Sequence, residues 1–507
     1  MSRQIDLDGA SLTIADVVAV AREGAAVSLA ASARVAMWQT REIVDAIVER
    51  GAPVYGVNTG FGKLAEITIP RDQLNALQRN LVRSHAAGVG PPLPDEIVRA
   101  MMLLRANVLA KGHSGARAEI VDALVAFLAH GIMPVIPEQG SVGASGDLAP
   151  LSHLALALIG EGRVRVAGVE MDAAAALQRF GITPVSLAAK EGIALVNGTQ
   201  AHTAIAALAA HDAAVLWNTA NAAGAMSLEA LLGTPDPFDA RIQEARGQPG
   251  QIAAAARLRA LLAGSEIRES HRENDPRVQD AYALRCMPQV HGPVLDAIEF
   301  ATGIVTRELN AATDNPLVFA DGAILSGGNF HGQAVALACD VLAIALTNLG
   351  VMAERRIDRL VNPDLNQGLP PFLAAHPGVE SGLMMVQVTA AALASECKLL
   401  AHPASVDSIP TDGGKEDVVP MAMGAAHKLR RIVANVTHIL AAELLCAAAG
   451  LDCRRPLKPG RGVAGAQRRI RAVVPEHTGD RALSDDLATL ADLIRSGAFA
   501  DPAVLAQ

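Results

Sequence analysis

The stretch Gly140–His153, GSVGASGDLAPLSH, holds residues whose types and spacing allow chemistry on the backbone itself. Gly146 has no side chain to shield its amide nitrogen. Its neighbours Gly143 and Ala144 are small enough to let the chain fold into a very tight turn. In such a turn the Gly146 nitrogen can reach the carbonyl carbon of Ala144 and close a five-membered ring. Loss of water from that closure and from Ser145 leaves a methylidene-imidazolone, an electrophilic methylene that no ordinary side chain supplies. The same residues also read as a flexible loop before a helix, with Ser145 or Asp147 as N-cap and Pro150 in the first turn. A serine-hydrolase elbow needs Gly-x-Ser-x-Gly, whereas Gly146 follows Ser145 directly. On the tripeptide alone, the loop is the simpler reading.

Other residues stand out by scarcity or position. The chain has only two tyrosines, Tyr55 and Tyr282, each in a polar stretch flanked by glycine or charge. A structural tyrosine needs only a partner for its hydroxyl, and this chain avoids tyrosine for that purpose. Tyr55 lies in VYGVNTGFGKL. A phosphate-binding loop there would need glycine at Val57 and Ser or Thr at Leu64. Gly60-Phe61-Gly62 mimics part of a dinucleotide fingerprint, but no βαβ unit follows. His85 falls at a predicted helix end, where a packed and a functional histidine are equally good readings. Gln279, Tyr282 and Arg285 are spaced by three, which on a helical turn sets them on one side. Leu284 and Cys286 imply a partly buried Arg285, which needs an anionic partner such as a substrate carboxylate.

The elements that must position these residues are helical. Apolar spacing predicts helices over 12–22, 31–50, 71–85, 95–110 and 116–130, then from about Leu148 to Gly160. A short β hairpin is expected around Val164–Val169. Asn197 sits at a turn before a long Ala-rich helix reaching about Leu232. Further helices are predicted over 293–310, after Phe330, over 382–402 and over 419–450. Glu416 lies in the polar loop before the last of these. The composition is 51% hydrophobic and only 3% aromatic, which suits closely packed helices. A formal charge of −9 argues against a nucleic-acid partner. Five cysteines without a Cys-x-x-Cys pair suit a reduced, cytoplasmic protein. No signal peptide, membrane span or metal-ligand spacing is read in the chain. Apolar runs such as Val341–Leu346 read as soon broken by polar residues.

Taken together, the Tyr55 loop, SHAAG, GSVGASGDLAPL, ALVNGTQ, VQDAYALRC, GGNFHG and SVDSIPT resemble, in order, the motifs of the histidine and aromatic amino-acid ammonia-lyases. The resemblance spans nearly the whole chain. It implies a mainly all-α fold, a long-helix bundle of the ammonia-lyase type with small peripheral β hairpins. It implies one interlocked unit over 1–507: an N-terminal part to about 200 with the prosthetic-group loop, a central bundle to about 450, and peripheral helices from 451 to 507. A homotetramer with active sites shared between chains is also implied. The activity is removal of ammonia from an L-amino acid, with the methylidene-imidazolone formed from Ala144, Ser145 and Gly146 and no external cofactor.

Position by position, Tyr55 resembles the general base and Arg285 the carboxylate clamp. Asn197 and Tyr282 flank the prosthetic group and the amine, and Gln279 and Phe330 resemble pocket residues. Ser84-His85 resembles the pair of the histidine lyases, where His85 reads the substrate ring and Glu416 holds a ring N–H. The sequence departs from that pattern at Lys415, where Gln is usual, at Val418, where His is usual, and at Gln333, where Glu is usual. Histidine is the favoured substrate. Tyrosine or another aromatic amino acid, an aminomutase and a non-catalytic helical scaffold are the alternatives, with a serine hydrolase further off.

Overall fold

Helices begin and end where the sequence supplies the caps. In the computed structural model, which describes residues 4–51 and 53–505, the helix Ile14–Glu23 opens on a Thr13–Asp16 capping box and stops at left-handed Gly24. The helix Ala31–Arg50 ends at left-handed Gly51. Leu74–His85 (after a single 3-10 turn), Asp95–Ala110, Ala118–His130 and Leu148–Leu158 follow the apolar periodicity closely.

The chain divides into two compact units, each assembled from three separated segments. The first comprises residues up to His211, Ala301–Asp340 and Pro403–His427. At its heart is Asp95–Ala110, whose residues are buried almost all round, as expected of a helix apolar on every face. It packs against Ile14–Glu23 and Ala118–His130. Beside these, Leu74–His85, Leu148–Leu158 and the short helix Glu191–Val196 pack on one another as a triad. That triad sets the site: His85 ends one helix, the Ala144–Gly146 turn precedes the second, and Asn197 caps the third.

The second unit comprises Asp212–Phe300, Val341–His402 and the chain from Lys428 onward. Its core holds a fully buried ion pair: Arg356 grips both oxygens of Glu443 at 2.5 and 2.9 Å, and Ser227 donates to the same carboxylate at 2.7 Å. Peripheral helices Arg461–Arg471 and Ser484–Arg495 lie near the C-terminus.

The sheets among the described residues have two or three strands. The expected hairpin is Arg163–Val166 with Val169–Asp172, and Ile132–Pro134 adds a third strand. Gln4–Leu7 and Ala26–Leu29 pair in parallel around the first helix. The sequence reading is corrected at three points. The helix predicted from Pro293 starts at Met287 and carries that proline inside it. The helical turn holding Tyr282 and Arg285 spans only Tyr282–Arg285, so Gln279 lies outside it. The apolar run Val341–Leu346 belongs to a helix, Gln333–Val361, which like Ala422–Asp452 is long and apolar enough to cross a membrane. Their apolar windows are 72% and 89% buried within the chain itself, the mark of core helices.

Candidate active site

The Ala144–Ser145–Gly146 turn is tight and held from several sides. Gly143 and Gly146 both take left-handed conformations, with φ of 77° and 73°. A Cβ on Gly146 would meet the carbonyl oxygen of Gly198 at 2.2 Å, so only glycine fits there. Gly146 is bridged to Gly143, Ala144 and Gly198. The side-chain amide of Asn197 donates to the carbonyl oxygen of Ser145 at 2.7 Å. The Asp147 amide donates to the Gly198 carbonyl at 2.7 Å, and the Gly332 amide to the Gly143 carbonyl at 3.0 Å. Asn197 Oδ1 is buried and unpartnered. A bare amide nitrogen in a turn compressed to this degree is what ring closure on Ala144 requires, and the residues present fit the methylidene-imidazolone.

Asp147 occupies the N-cap position of Leu148–Leu158, yet its carboxylate does not cap that helix. It accepts instead from the amides of Ala201 and His202 at 2.8 and 2.9 Å, at the start of Gln200–Ala230. An anion at a helix N-terminus is electrostatically favoured. Ser141 donates to its other oxygen at 2.7 Å. His202 lies 2.8 Å away through Nδ1, and neither side chain is exposed. Burial alone would raise the Asp147 pKa, but the His202 charge and the donors around it hold the carboxyl below its usual range.

Tyr55 stands in the glycine-rich loop, half-buried, its ring edge-on to Phe61 with centroids 6.5 Å apart. The Gly62 amide donates to its hydroxyl at 3.4 Å. Burial, joined by the carboxylates of Asp412 and Glu416, raises the phenol above its usual pKa, and the Gly62 amide opposes them. Gly56 turns left-handed where Pro316 presses against it, a Cβ there lying 2.8 Å from Pro316 Cδ.

At the far wall, His85 Nδ1 lies 2.9 Å from the Leu81 carbonyl, with Ser84 Oγ at 3.0 Å. A carbonyl only accepts, so Nδ1 carries the proton and Nε2 is left as an acceptor. Glu416 is held by the Thr411 hydroxyl across a short bridge of the loop. Among the described residues Lys415 makes no ion pair with it.

These side chains converge on a cavity of about 660 Å³ lined by Tyr55, His85, Ser145, Asn197, Phe330 and Glu416, with apolar Leu64, Ile67, Leu77 and Leu81 between them. An adjoining cavity of about 500 Å³ shares Tyr55, Ser145, Phe330 and Glu416, and reaches Ala144 and Lys415. Size and lining suit an amino acid with a flat ring. Gln279, Tyr282 and Arg285 do not line either cavity and belong to the second unit. There Tyr282 is 69% exposed, Arg285 stacks over its ring at 4.7 Å, and Arg285 Nε is buried without a partner.

Sequence reasoning missed Asn315 and Asp412, which line both cavities. Asn315 lies in TDNP and Asp412 in TDGGKE, and of these stretches only Glu416 was singled out from the sequence. Sequence reasoning also missed Arg105 and His202; a single arginine inside MMLLRANVLA was the available signal for the first. His202 carried none.

Comparison with known proteins agrees with this geometry. Residues 12–472 match the family described as aromatic amino acid lyase. A curated protein of Anaeromyxobacter sp. (strain K), named histidine ammonia-lyase, is 57% identical over 500 residues, covering 97% of this chain and 98% of its own length. The crystal structure of histidine ammonia-lyase from Trypanosoma cruzi superposes with a TM-score of 0.91 at 45% identity, covering 98% and 94% of the two chains. That of tyrosine aminomutase from Streptomyces globisporus gives 0.93 at 40%, covering 98% of each. The tight Ala-Ser-Gly turn therefore sits in a chain that belongs to the aromatic amino acid lyase family.

Proposed function

We propose that the protein is a carbon–nitrogen lyase that removes ammonia from L-histidine to give trans-urocanate. The observation that carries the reading is one cavity bringing the Ser145 turn together with Tyr55, His85 and Glu416. The methylidene-imidazolone, formed from Ala144, Ser145 and Gly146, supplies an electrophilic carbon for the substrate's amine or ring. Asn197 holds the turn through the Ser145 carbonyl. Tyr55 accepts the β-proton. The Glu416 carboxylate accepts from the substrate ring N–H, and His85 lines the same cavity to read the ring. Imidazole offers polar edges to both walls; a phenol offers one. The relatives named histidine ammonia-lyase support the same substrate.

Tyr55 needs cationic charge nearby to act as a base, because burial and two carboxylates keep its proton on. Arg285 supplies that charge and the carboxylate clamp, with Tyr282 beside it, when a second copy of the chain contributes them. The exposed Tyr282 and the unpartnered Arg285 Nε support this sharing of sites in a homotetramer.

A tyrosine aminomutase is the second reading, favoured by the solved neighbour of that name and by Lys415 and Val418 in the Glu416 loop. The test is incubation with histidine, tyrosine and phenylalanine separately, following the ultraviolet absorbance of each unsaturated acid and the appearance of any β-amino acid. Urocanate formed by the wild type and abolished in Ser145→Ala is the expected result. A β-amino acid as main product, or activity retained in Ser145→Ala, would overturn it.

A further inference from the structure

We propose that Arg105 is a positioning residue for ring formation at Ala144–Ser145–Gly146, acting through the Asn197–Gly198 dipeptide. The proposal rests on the reading that this tripeptide becomes a methylidene-imidazolone.

Arg105 is fully buried in the apolar helix Asp95–Ala110. Its guanidinium makes no direct contact with a carboxylate among the described residues. Nη1 and Nη2 both donate to the carbonyl oxygen of Asn197, at 2.9 and 3.2 Å. Nη1 also donates to Gln200 Oε1 at 2.9 Å. The Gln200 amide is oriented by its own donation to Thr313 Oγ1 at 2.9 Å. The carboxylate of Asp314 is engaged by Lys190 at 3.1 Å. Burial lowers the Arg105 pKa to about 10, which still leaves it charged at neutral pH. A buried cation without a carboxylate partner is costly to fold, and an apolar side chain would be the more stabilising choice. The fork must serve something that an apolar side chain could not.

What it serves is the clamp on Gly146. Asn197 Nδ2 holds the Ser145 carbonyl, just before Gly146. The Gly198 carbonyl holds the Asp147 amide, just after it. The Gly198 backbone packs on Gly146 so closely that a Cβ would meet three of its atoms at 2.2 to 2.6 Å. Both flanks of the closing residue are therefore gripped by one dipeptide, and the guanidinium fixes where that dipeptide lies. In ring closure the Gly146 nitrogen bonds to the Ala144 carbonyl carbon; the carbonyl oxygen leaves as one water with the Gly146 and Ser145 amide protons, which leaves a C=N bond between the Ala144 carbon and the Ser145 nitrogen. Ser145 loses its α-proton and hydroxyl as a second water, giving the exocyclic double bond; no electrons are exchanged with another reagent. The first bond forms only if the turn is held near its reactive geometry, and displacement on the ångström scale lowers such rates steeply. Arg105 touches none of the reacting atoms. Lysine at this position would keep the charge but lose the fork that spans Asn197 and Gln200.

The test uses the full chain, purified as wild type, Arg105→Met and Arg105→Lys. Folded protein is collected by size exclusion and circular dichroism, then read by intact mass and near-ultraviolet absorbance; neither reading depends on turnover. The wild type is expected two waters lighter than its sequence mass. Folded Arg105→Met is expected to show at least about a tenfold smaller dehydrated share, with Arg105→Lys between the two. Folded Arg105→Met dehydrated to the wild-type extent and at the wild-type rate overturns the proposal alone. If Arg105→Met yields no folded protein, Arg105→Lys decides: a reduced share supports the proposal and a wild-type share overturns it. A wild type of full sequence mass overturns the prosthetic-group reading and the proposal with it.

Discussion

Asp147 and His202 meet at 2.8 Å with neither side chain exposed, one residue beyond the Ala-Ser-Gly turn on one side and at the start of the 31-residue helix Gln200–Ala230 on the other. Breaking such a pair by removing one partner leaves a buried charge and costs about 3–5 kcal/mol. The pair also sets a pH window. Burial raises the Asp147 pKa, but His202 and the surrounding donors outweigh it, so the folded value is depressed. Its stability contribution is present above the ordinary carboxyl range and is lost as pH falls through the folded value. Burial lowers the His202 pKa, but Asp147 outweighs it, so the folded value is raised. That contribution is present below the ordinary imidazole range and is lost as pH rises through the folded value. Denaturant melts of wild type, Asp147→Asn, His202→Asn and the double variant should give a coupling energy that peaks between those limits. A coupling that is flat with pH would rule the charge pairing out.

Tyr55→Phe removes one oxygen and should lower kcat by about 10²–10⁴ with little change in KM. The pH profile carries a second check. A base acts deprotonated, and burial with Asp412 and Glu416 raises the phenol pKa. The rising limb of kcat/KM should therefore follow the balance between those carboxylates and the Arg285 cation. Asp412→Asn removes one raising charge and should move that limb to lower pH. A limb that stays put would detach Tyr55 from the proton transfer.

Arg285→Lys keeps a positive charge and loses the planar two-donor fork. It should raise KM or lower kcat/KM by at least about tenfold, since bidentate carboxylate binding is what the fork provides. Unchanged steady-state kinetics would remove Arg285 from the substrate site.

Glu416→Gln should weaken histidine kcat/KM by the equivalent of about 1–3 kcal/mol, the scale of a lost charged hydrogen bond, and affect tyrosine less. The Thr411 hydroxyl already orients the carboxylate, so the substitution changes charge more than position. A wild type that prefers tyrosine, with Glu416→Gln indifferent, would transfer the specificity to the phenol and leave the family unchanged.

The helices were legible because their signals are local. Ala31–Arg50 and Asp95–Ala110 follow from apolar spacing and end where Gly51 or a lost periodicity says they should. The Ser145 turn stood out because the residues flanking the tripeptide, over Gly140–His153, resemble a family motif; on the three residues alone a plain loop was the simpler reading. Arg105, His202 and Asn315 were not, since each matters only through partners far along the chain: Arg105 through Asn197, His202 through Asp147, Asn315 through the cavity wall it completes. Gln279 shows the opposite limit. A three-residue spacing suggested one helical face, but the helix is a single turn beginning at Tyr282.

The amides of Gly332 and Ala422 reach back to the carbonyls of Gly143 and Val142. Two of the ties on the turn thus come from the starts of helices made late in synthesis. A ribosome must deliver the chain as far as Ala422 before the turn is fully braced. A truncated or stalled product lacks those two ties, and on the proposed reading its Ser145 stays an ordinary serine.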